Sequence, residues 1–218
     1  MIDLKRNTKR ELVEAKGIRT RSSSIYKPNQ PEDFKISRSK FSDFLTCKRC
    51  FYLDRVRGLD APGTPGWHHG LSIRFQETNI ILSGGVDDVW QDINTGKLII
   101  ADYKSQANNK SLEPWAYLSD VYHEGYKIQM DFYGYLLSEM GHDVSETFYF
   151  LVCNANRKAD GFFGKLDFEE VLVPYKWNAQ WIPEKVSEMI GSMNSDEIPE
   201  SNVACKNCAY AMQRMNAK

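Results

Sequence analysis

No run of apolar residues in this chain approaches the ~18 that a membrane-spanning helix requires. The opening Met1-Ile2-Asp3-Leu4-Lys5-Arg6 has none of the apolar core of a secretory signal. Both absences lead to the expectation of a cytoplasmic, intracellular protein with no membrane partner. An excess of positive charge is missing as well. The 28 Lys and Arg stand against 29 Asp and Glu, a formal net charge of −1, so a nucleic-acid partner cannot be argued from overall charge. There is no internal repeat and no low-complexity tract. No Walker-type phosphate loop occurs, which leaves no sequence basis for an ATP-driven motor. Cysteine is sparse, five residues in 218, and in a reducing compartment these are ligands or buried thiols rather than disulfides.

What is present is an ordinary globular composition, 42% hydrophobic and 26% charged, in a chain long enough for one domain with a proper core. Residues 1–35 are polar and hold a local excess of cations, with eight Lys or Arg against three Asp or Glu between Met1 and Asn29. They read as a basic arm, either a tail or a segment that touches phosphates. A single domain is expected over 36–218. From Ser37, a suitable N-cap, Phe41, Phe44, Leu45, Phe51, Tyr52 and Val56 keep a helical period as far as Gly58. Lys40, Lys48, Arg49, Arg55 and Arg57 fall on its other faces, toward solvent or a DNA backbone. A loop follows at Pro62–Gly66. Further along, Ile73–Ser83 reads as a strand or hairpin, Trp115–Met140 as a helix interrupted near Gly125, and Thr147–Cys153 and Leu166–Val173 as strands. Trp177–Met193 reads as an amphipathic helix. Cys153, with no partner nearby, is expected in the core.

Chemistry concentrates in Gly84–Lys104, GGVDDVWQDINTGKLIIADYK. Two strands, Ile80–Trp90 and Leu98–Tyr103, are separated by the turn residues Asp92-Ile93-Asn94-Thr95-Gly96. Such a hairpin carries Asp87 and Asp102 on adjacent strands, and Lys104, two residues beyond Asp102, projects to the same side. Two carboxylates suit a hard dication such as Mg²⁺. The ion can polarise a phosphodiester and acidify a water, while the ammonium orients that water or meets charge developing on phosphorus. The spacing alone equally describes two surface aspartates and a solvated lysine.

The order G-x-x-D, turn, apolar strand, D-x-K resembles the PD-(D/E)XK nuclease superfamily, in particular its RecB-like branch, which includes the CRISPR adaptation nucleases. The segment Ser37–Leu53, serine-led and ending in cysteines and aromatics, is similar to that branch's opening helix. Gln129 and Tyr133, at i and i+4 on one helical face, are similar to its Q-x-x-x-Y motif. The likeness runs from about Ile36 to Tyr210. It implies an α/β fold with a restriction-endonuclease-like core, a central mixed β-sheet flanked by helices. It also implies a metal-dependent DNA nuclease, an exonuclease by expectation, of DNA repair, replication or phage- and CRISPR-related metabolism. Asp87, Asp102 and the Tyr103 carbonyl would hold Mg²⁺ or Mn²⁺, Lys104 would position water, and Gln129 and Tyr133 would complete the cleft. His69 is implied as a further ligand. Only a short segment separates it from Asp87, however, a departure from the branch that favours a loop histidine with no metal role. The expected partners are DNA, as single strands or duplex ends, and the proteins of a repair, replication or CRISPR complex.

Cys47-x-x-Cys50 and Cys205-x-x-Cys208 supply four thiolates, which satisfy a tetrahedral Zn²⁺ site or a [4Fe–4S] cluster equally well. The resemblance leans toward iron–sulfur, although Arg214 stands where a third C-terminal cysteine would be expected. Two other readings stand beside the nuclease. A non-catalytic DNA-binding or adaptor subunit would not require an intact D…D-x-K set. A thiol oxidoreductase would need a thioredoxin-like strand–CxxC–helix context, which is missing.

Overall fold

In the computed structural model the described residues are 24–59, 70–109, 112–157 and 167–216, with the backbone of 2–3 and 16–17. The chain divides into two compact units, each assembled from separated stretches. The first comprises Met1–His68, Arg74–Leu82 and Pro183–Lys218, and the second His69–Ile73 and Ser83–Ile182. The Pro62–Gly66 loop and His69 lie outside the described residues.

Within the stretch read as an arm, β1 (Ile2–Asp3) and β2 (Lys16–Gly17) pair antiparallel. β3 (Phe34–Ser37), β5 (Ile80–Gly84) and β4 (Leu71–Arg74) form a three-stranded sheet in that order. Ser37 caps the next helix as expected, its hydroxyl accepting from the Lys40 amide at 3.4 Å. The single helix expected after it is two helices, α1 (Arg38–Thr46) and α2 (Lys48–Arg55), because Cys47 adopts extended backbone at φ −157°, ψ 105°. The apolar period survives the break. Phe44 and Phe51 meet edge to face at 5.4 Å, and Phe41 and Tyr52 are buried with them. Later in the chain, α5 (Ile182–Met193) buries Val186, Met189 and Met193 along one stripe. The Tyr52 hydroxyl donates to the Ser195 carbonyl at 2.9 Å just beyond α5. α6 (Lys206–Asn216) completes this unit.

The second unit is built on a four-stranded mixed sheet of order β6-β7-β8-β9, comprising Asp88–Gln91, Leu98–Asn108, Thr147–Asn156 and Phe168–Lys176. β6 and β9 run antiparallel to their neighbours, and β7 and β8 run parallel. A parallel pair needs a helical crossover. Here it is α3 (Pro114–Tyr117), a 3-10 turn (Val121–His123) and α4 (Glu124–Glu139). The interruption expected near Gly125 therefore falls earlier, where Asp120 caps the 3-10 turn through the Tyr122 amide at 2.9 Å.

α4 is buried almost without break from Gln129 to Leu137. Phe132, Phe148, Phe150 and Val152 are fully buried, each contributing about 1.5–3 kcal/mol of apolar burial. Gly134 lets the helix approach closely. A Cβ there would meet the Trp177 ring at 2.5 Å and Phe148 at 2.9 Å, and those two rings stack at 5.4 Å. Residues 177–181, read as the start of a helix, are a loop. The Trp177 indole donates to the Ser145 carbonyl at 2.7 Å, and the Trp181 indole to Asp131 at 3.0 Å. Tertiary hydrogen bonds there outweigh local propensity. Cys153 is half-buried, on the face of β8 opposite Phe148, Phe150 and Val152, rather than in the core.

Candidate active site

The first strand expected around the motif is two. β5 ends at Gly84 and β6 begins at Asp88, so Asp87 lies in the bend between them rather than on a strand. The juxtaposition survives, because Asp88 pairs with Ala101, which sets Asp87 beside Asp102 one step along the register. The Asp87 Oδ2 accepts the Tyr103 backbone N–H at 2.9 Å. That bond ties the exposed carboxylate to the next strand without consuming its other lone pairs.

Alternation along β7 puts Ile100, Asp102 and Lys104 on one face. Asp102 is 1% exposed. A carboxylate buried to that degree requires partners. It has them in the Lys104 ammonium, which pairs with Oδ2, and the Gln129 amide, which donates to Oδ1. Gln129 is itself buried, one turn before Tyr133 on α4. The expected convergence of Asp102, Lys104 and Gln129 is thus what the structure places together. Tyr133, 4% exposed, lies against Gly84, where a Cβ would come within 2.5 Å of its ring. The glycine of G-x-x-D is small because a tyrosine ring fills the space above it.

Two residues escaped sequence reasoning. Tyr126 lies one turn before Gln129, and the Lys104 Nζ sits 4.4 Å from its ring centroid and 5.9 Å from that of Phe150. The ammonium is therefore held between a carboxylate and an aromatic face. Only the i−3 spacing from Gln129 signalled this. Asp88, passed over beside Asp87, accepts from the Tyr103 hydroxyl at 2.7 Å and from the Trp90 indole at 3.0 Å on the opposite face. Those donors, the Tyr103 hydroxyl first, hold its carboxyl below the usual range. Asp88 fixes the tyrosine whose backbone amide holds Asp87.

The donor set fits a hard divalent cation. Asp87 and Asp102 offer carboxylate oxygens, the Tyr103 carbonyl belongs to the same strand as Asp102, and all three are hard oxygen donors.

A different set gathers in the first unit. Cys47 and Cys50 straddle the start of α2, and Cys205 and Cys208 the start of α6, so both pairs sit at positive helix ends that favour thiolates. All four Sγ atoms lie within 4.8 Å of one another. The Cys47–Cys208, Cys50–Cys205 and Cys50–Cys208 separations are 3.8, 3.6 and 3.7 Å. A tetrahedron with metal–sulfur bonds of about 2.3 Å has edges of about 3.8 Å, so one tetrahedral ion fits the cage. Burial opposes ionisation of Cys47, but the amides of Cys50 and Asn202 bring its thiol down to about 7. Burial pushes Cys208 up to about 11 and raises Cys50 as well. A cation is what lets all four ionise together.

A mixed sheet with a β–α–β crossover, carrying Asp102 and Lys104 on one strand with Asp87 in the bend beside it, fits a restriction-endonuclease-like α/β nuclease fold. Residues 66–213, about two thirds of the chain, match the sequence model of the PD-(D/E)XK nuclease superfamily, and the chain belongs to that superfamily. No curated protein matches the chain as a relative. The superfamily's nucleases are phosphodiester hydrolases that use divalent metals and act on DNA. Among the described residues no helix is long and apolar enough to cross a membrane.

Proposed function

We propose that this protein is a Mg²⁺- or Mn²⁺-dependent deoxyribonuclease of the RecB-like branch that removes nucleotides from DNA ends. The observation that supports it most is Asp102, buried between Lys104 and Gln129 and set beside Asp87. A binding module gains nothing from burying a carboxylate against a lysine, whereas a hydrolase gains a preorganised charge.

An ion held by Asp87, Asp102 and the Tyr103 carbonyl would polarise the scissile phosphate and lower the pKa of a bound water. Lys104 is the residue that addresses the water. Its Nζ, steadied by Asp102 and the Tyr126 ring, donates toward the attacking oxygen and toward charge growing on phosphorus. Gln129 fixes the rotamer of Asp102, and Tyr133 holds the bend that aims Asp87. We assign the cysteine cage to a single Zn²⁺. The 3.6–3.8 Å sulfur spacings support one ion, while a [4Fe–4S] cube would require the four sulfurs to spread. The cytoplasm of a cell that processes DNA breaks or foreign DNA is the setting this chemistry fits.

End-labelled single-stranded and duplex DNA incubated with Mg²⁺, Mn²⁺ or EDTA tests the proposal. Release of the label as short products, only with metal, is expected. Cleavage undiminished by EDTA, or no cleavage with either metal, overturns it. Products cut internally before any label is lost would replace the exonuclease with an endonuclease.

A further inference from the structure

The crossover segment ahead of α4 exposes large apolar side chains where the second unit has no packing use for them. Trp115 is 83% exposed, Val121 75% and Tyr122 85%. A scattered exposed apolar residue is ordinary, but three within eight positions, two of them aromatic, form a patch.

The patch is anchored. The His123 imidazole donates from Nδ1 to the Tyr117 carbonyl at 2.5 Å, the carbonyl being able only to accept, and this ties the 3-10 turn to α3. Asp120 caps the turn at the Tyr122 amide. Tyr122 is therefore presented by a braced turn.

The segment that carries these rings also leads to the candidate active site. The rings of Tyr117 and His123 stack at 4.2 Å, His123 and Tyr126 stack at 5.0 Å, and Tyr126 lies under the Lys104 ammonium. Trp115 and Tyr122 are the exposed neighbours in sequence of that ladder, in which Tyr117 is buried and His123 and Tyr126 are half-buried. Burial, then the Tyr126 hydroxyl and the Asp102 carboxylate, push the Tyr117 hydroxyl up to about 12, a sign of how near the ladder runs to the buried acid.

The charge around the rings narrows the occupant. From Leu112 to Tyr126 there is no lysine or arginine, while Glu113, Asp120 and Glu124 are present. The segment itself offers a phosphate backbone no cation, and Lys127, the next residue, is paired with Glu124. The flat face of a nucleobase finds a partner there, since base–aromatic stacking needs no cation. In a duplex those faces are covered by neighbouring pairs, so only a single strand or a frayed end can offer them.

We propose that Trp115 and Tyr122 form a base-stacking platform that receives single-stranded DNA next to the catalytic centre. This rests on the nuclease reading for its direction toward Lys104. As a binding surface it can be tested separately.

The test is binding of a fluorescein-labelled oligodeoxythymidylate to the full chain in EDTA, where cleavage is suppressed, at several salt concentrations. Trp115→Ala and Tyr122→Ala are each expected to weaken binding about tenfold. The slope of affinity against salt should not change, because no phosphate contact is lost. Tyr122→Phe should keep the affinity, since the ring rather than the hydroxyl stacks. A strand of the same length made of abasic sugars should bind the native chain and the alanine variants equally weakly. Circular dichroism of the variants should match the native chain, both side chains being exposed.

Unchanged oligonucleotide affinity in both alanine variants overturns the platform and leaves the patch to a protein partner. Equal affinity of the native chain for the abasic strand overturns it too. A chain that binds through these rings yet cuts nothing refutes the nuclease and keeps the platform. Metal-dependent cutting with ring-independent binding refutes the platform alone.

Discussion

Replacing Gly84 by alanine should damage the protein in a way that separates a packing glycine from an incidental one. The new Cβ would stand 2.5 Å from Tyr133 Cε1, 2.9 Å from Cδ1 and 3.5 Å from a Leu136 methyl. Carbon atoms in ordinary contact lie about 3.5–4.0 Å apart, so the ring must move by about 1 Å. Tyr133 is 4% exposed and Leu136 fully buried, which leaves the ring no free direction. Forcing one methyl into such a site costs about 1–3 kcal/mol. For a chain of this length that corresponds to a loss of roughly 2–12 °C in Tm. The catalytic cost should be larger. Gly84 lies three residues before Asp87, and Tyr133 one turn after Gln129, so the shift reaches both sides of the carboxylate pair. A misplacement of about 1 Å can cost about a hundredfold in rate. The assay is thermal melting beside metal-dependent cleavage, for Gly84→Ala and for Gly84→Ala with Tyr133→Leu. The second change removes the overlapping ring atoms and should restore most of the Tm but not the rate. A Gly84→Ala protein with native melting and native cleavage would refute the reasoning.

Other perturbations probe other links. Asp102→Asn should abolish cleavage while the chain still folds, because an amide still fills the place between Lys104 and Gln129, and DNA binding measured by anisotropy in EDTA should persist. Cys205→Ser should lose bound zinc, read by elemental analysis, and lower the Tm. Native protein absorbing near about 400 nm with stoichiometric iron would instead establish a cluster. Asp131 accepts from the Tyr175 hydroxyl, the Asn178 amide and the Trp181 indole. Asp131→Asn turns one acceptor into a donor facing Trp181 or its neighbours and should cost about 1–3 kcal/mol in urea unfolding. Burial outweighs those donors and raises the Asp131 carboxyl. Stability from its protonated form is therefore full below the unfolded value near about 4 and is lost as pH rises through the folded value, so the Asn variant should show a flatter pH profile in that window.

The parts of this molecule legible in its sequence are those governed by local period and side-chain type. The strand-flanked turn, the Ser37 cap and the apolar run of β8 follow from residues within a few positions of each other, and the approach of Asp87 to Asp102 from the short turn between their strands. What stayed hidden depends on partners far along the chain. Helical periodicity cannot register the break at Cys47, because Phe44 and Phe51 reach the same core on either side of it. The Trp177–Trp181 stretch keeps helical spacing, yet both indoles are committed to acceptors more than thirty residues away. The bend at Asp87 is the instructive case. A continuous strand would have left both aspartates as equivalent positions on one ladder. Ending β5 at Gly84 instead frees Asp87 to lie exposed against the Tyr103 amide, while Asp102 is sealed under α4. The two carboxylates thereby acquire unlike surroundings, one open and adaptable, the other rigid and paired with a lysine. That asymmetry is what a hydrolase needs and an ornamental pair of aspartates does not. It is produced by a glycine small enough to sit under Tyr133, a contact that no spacing rule in the sequence contains.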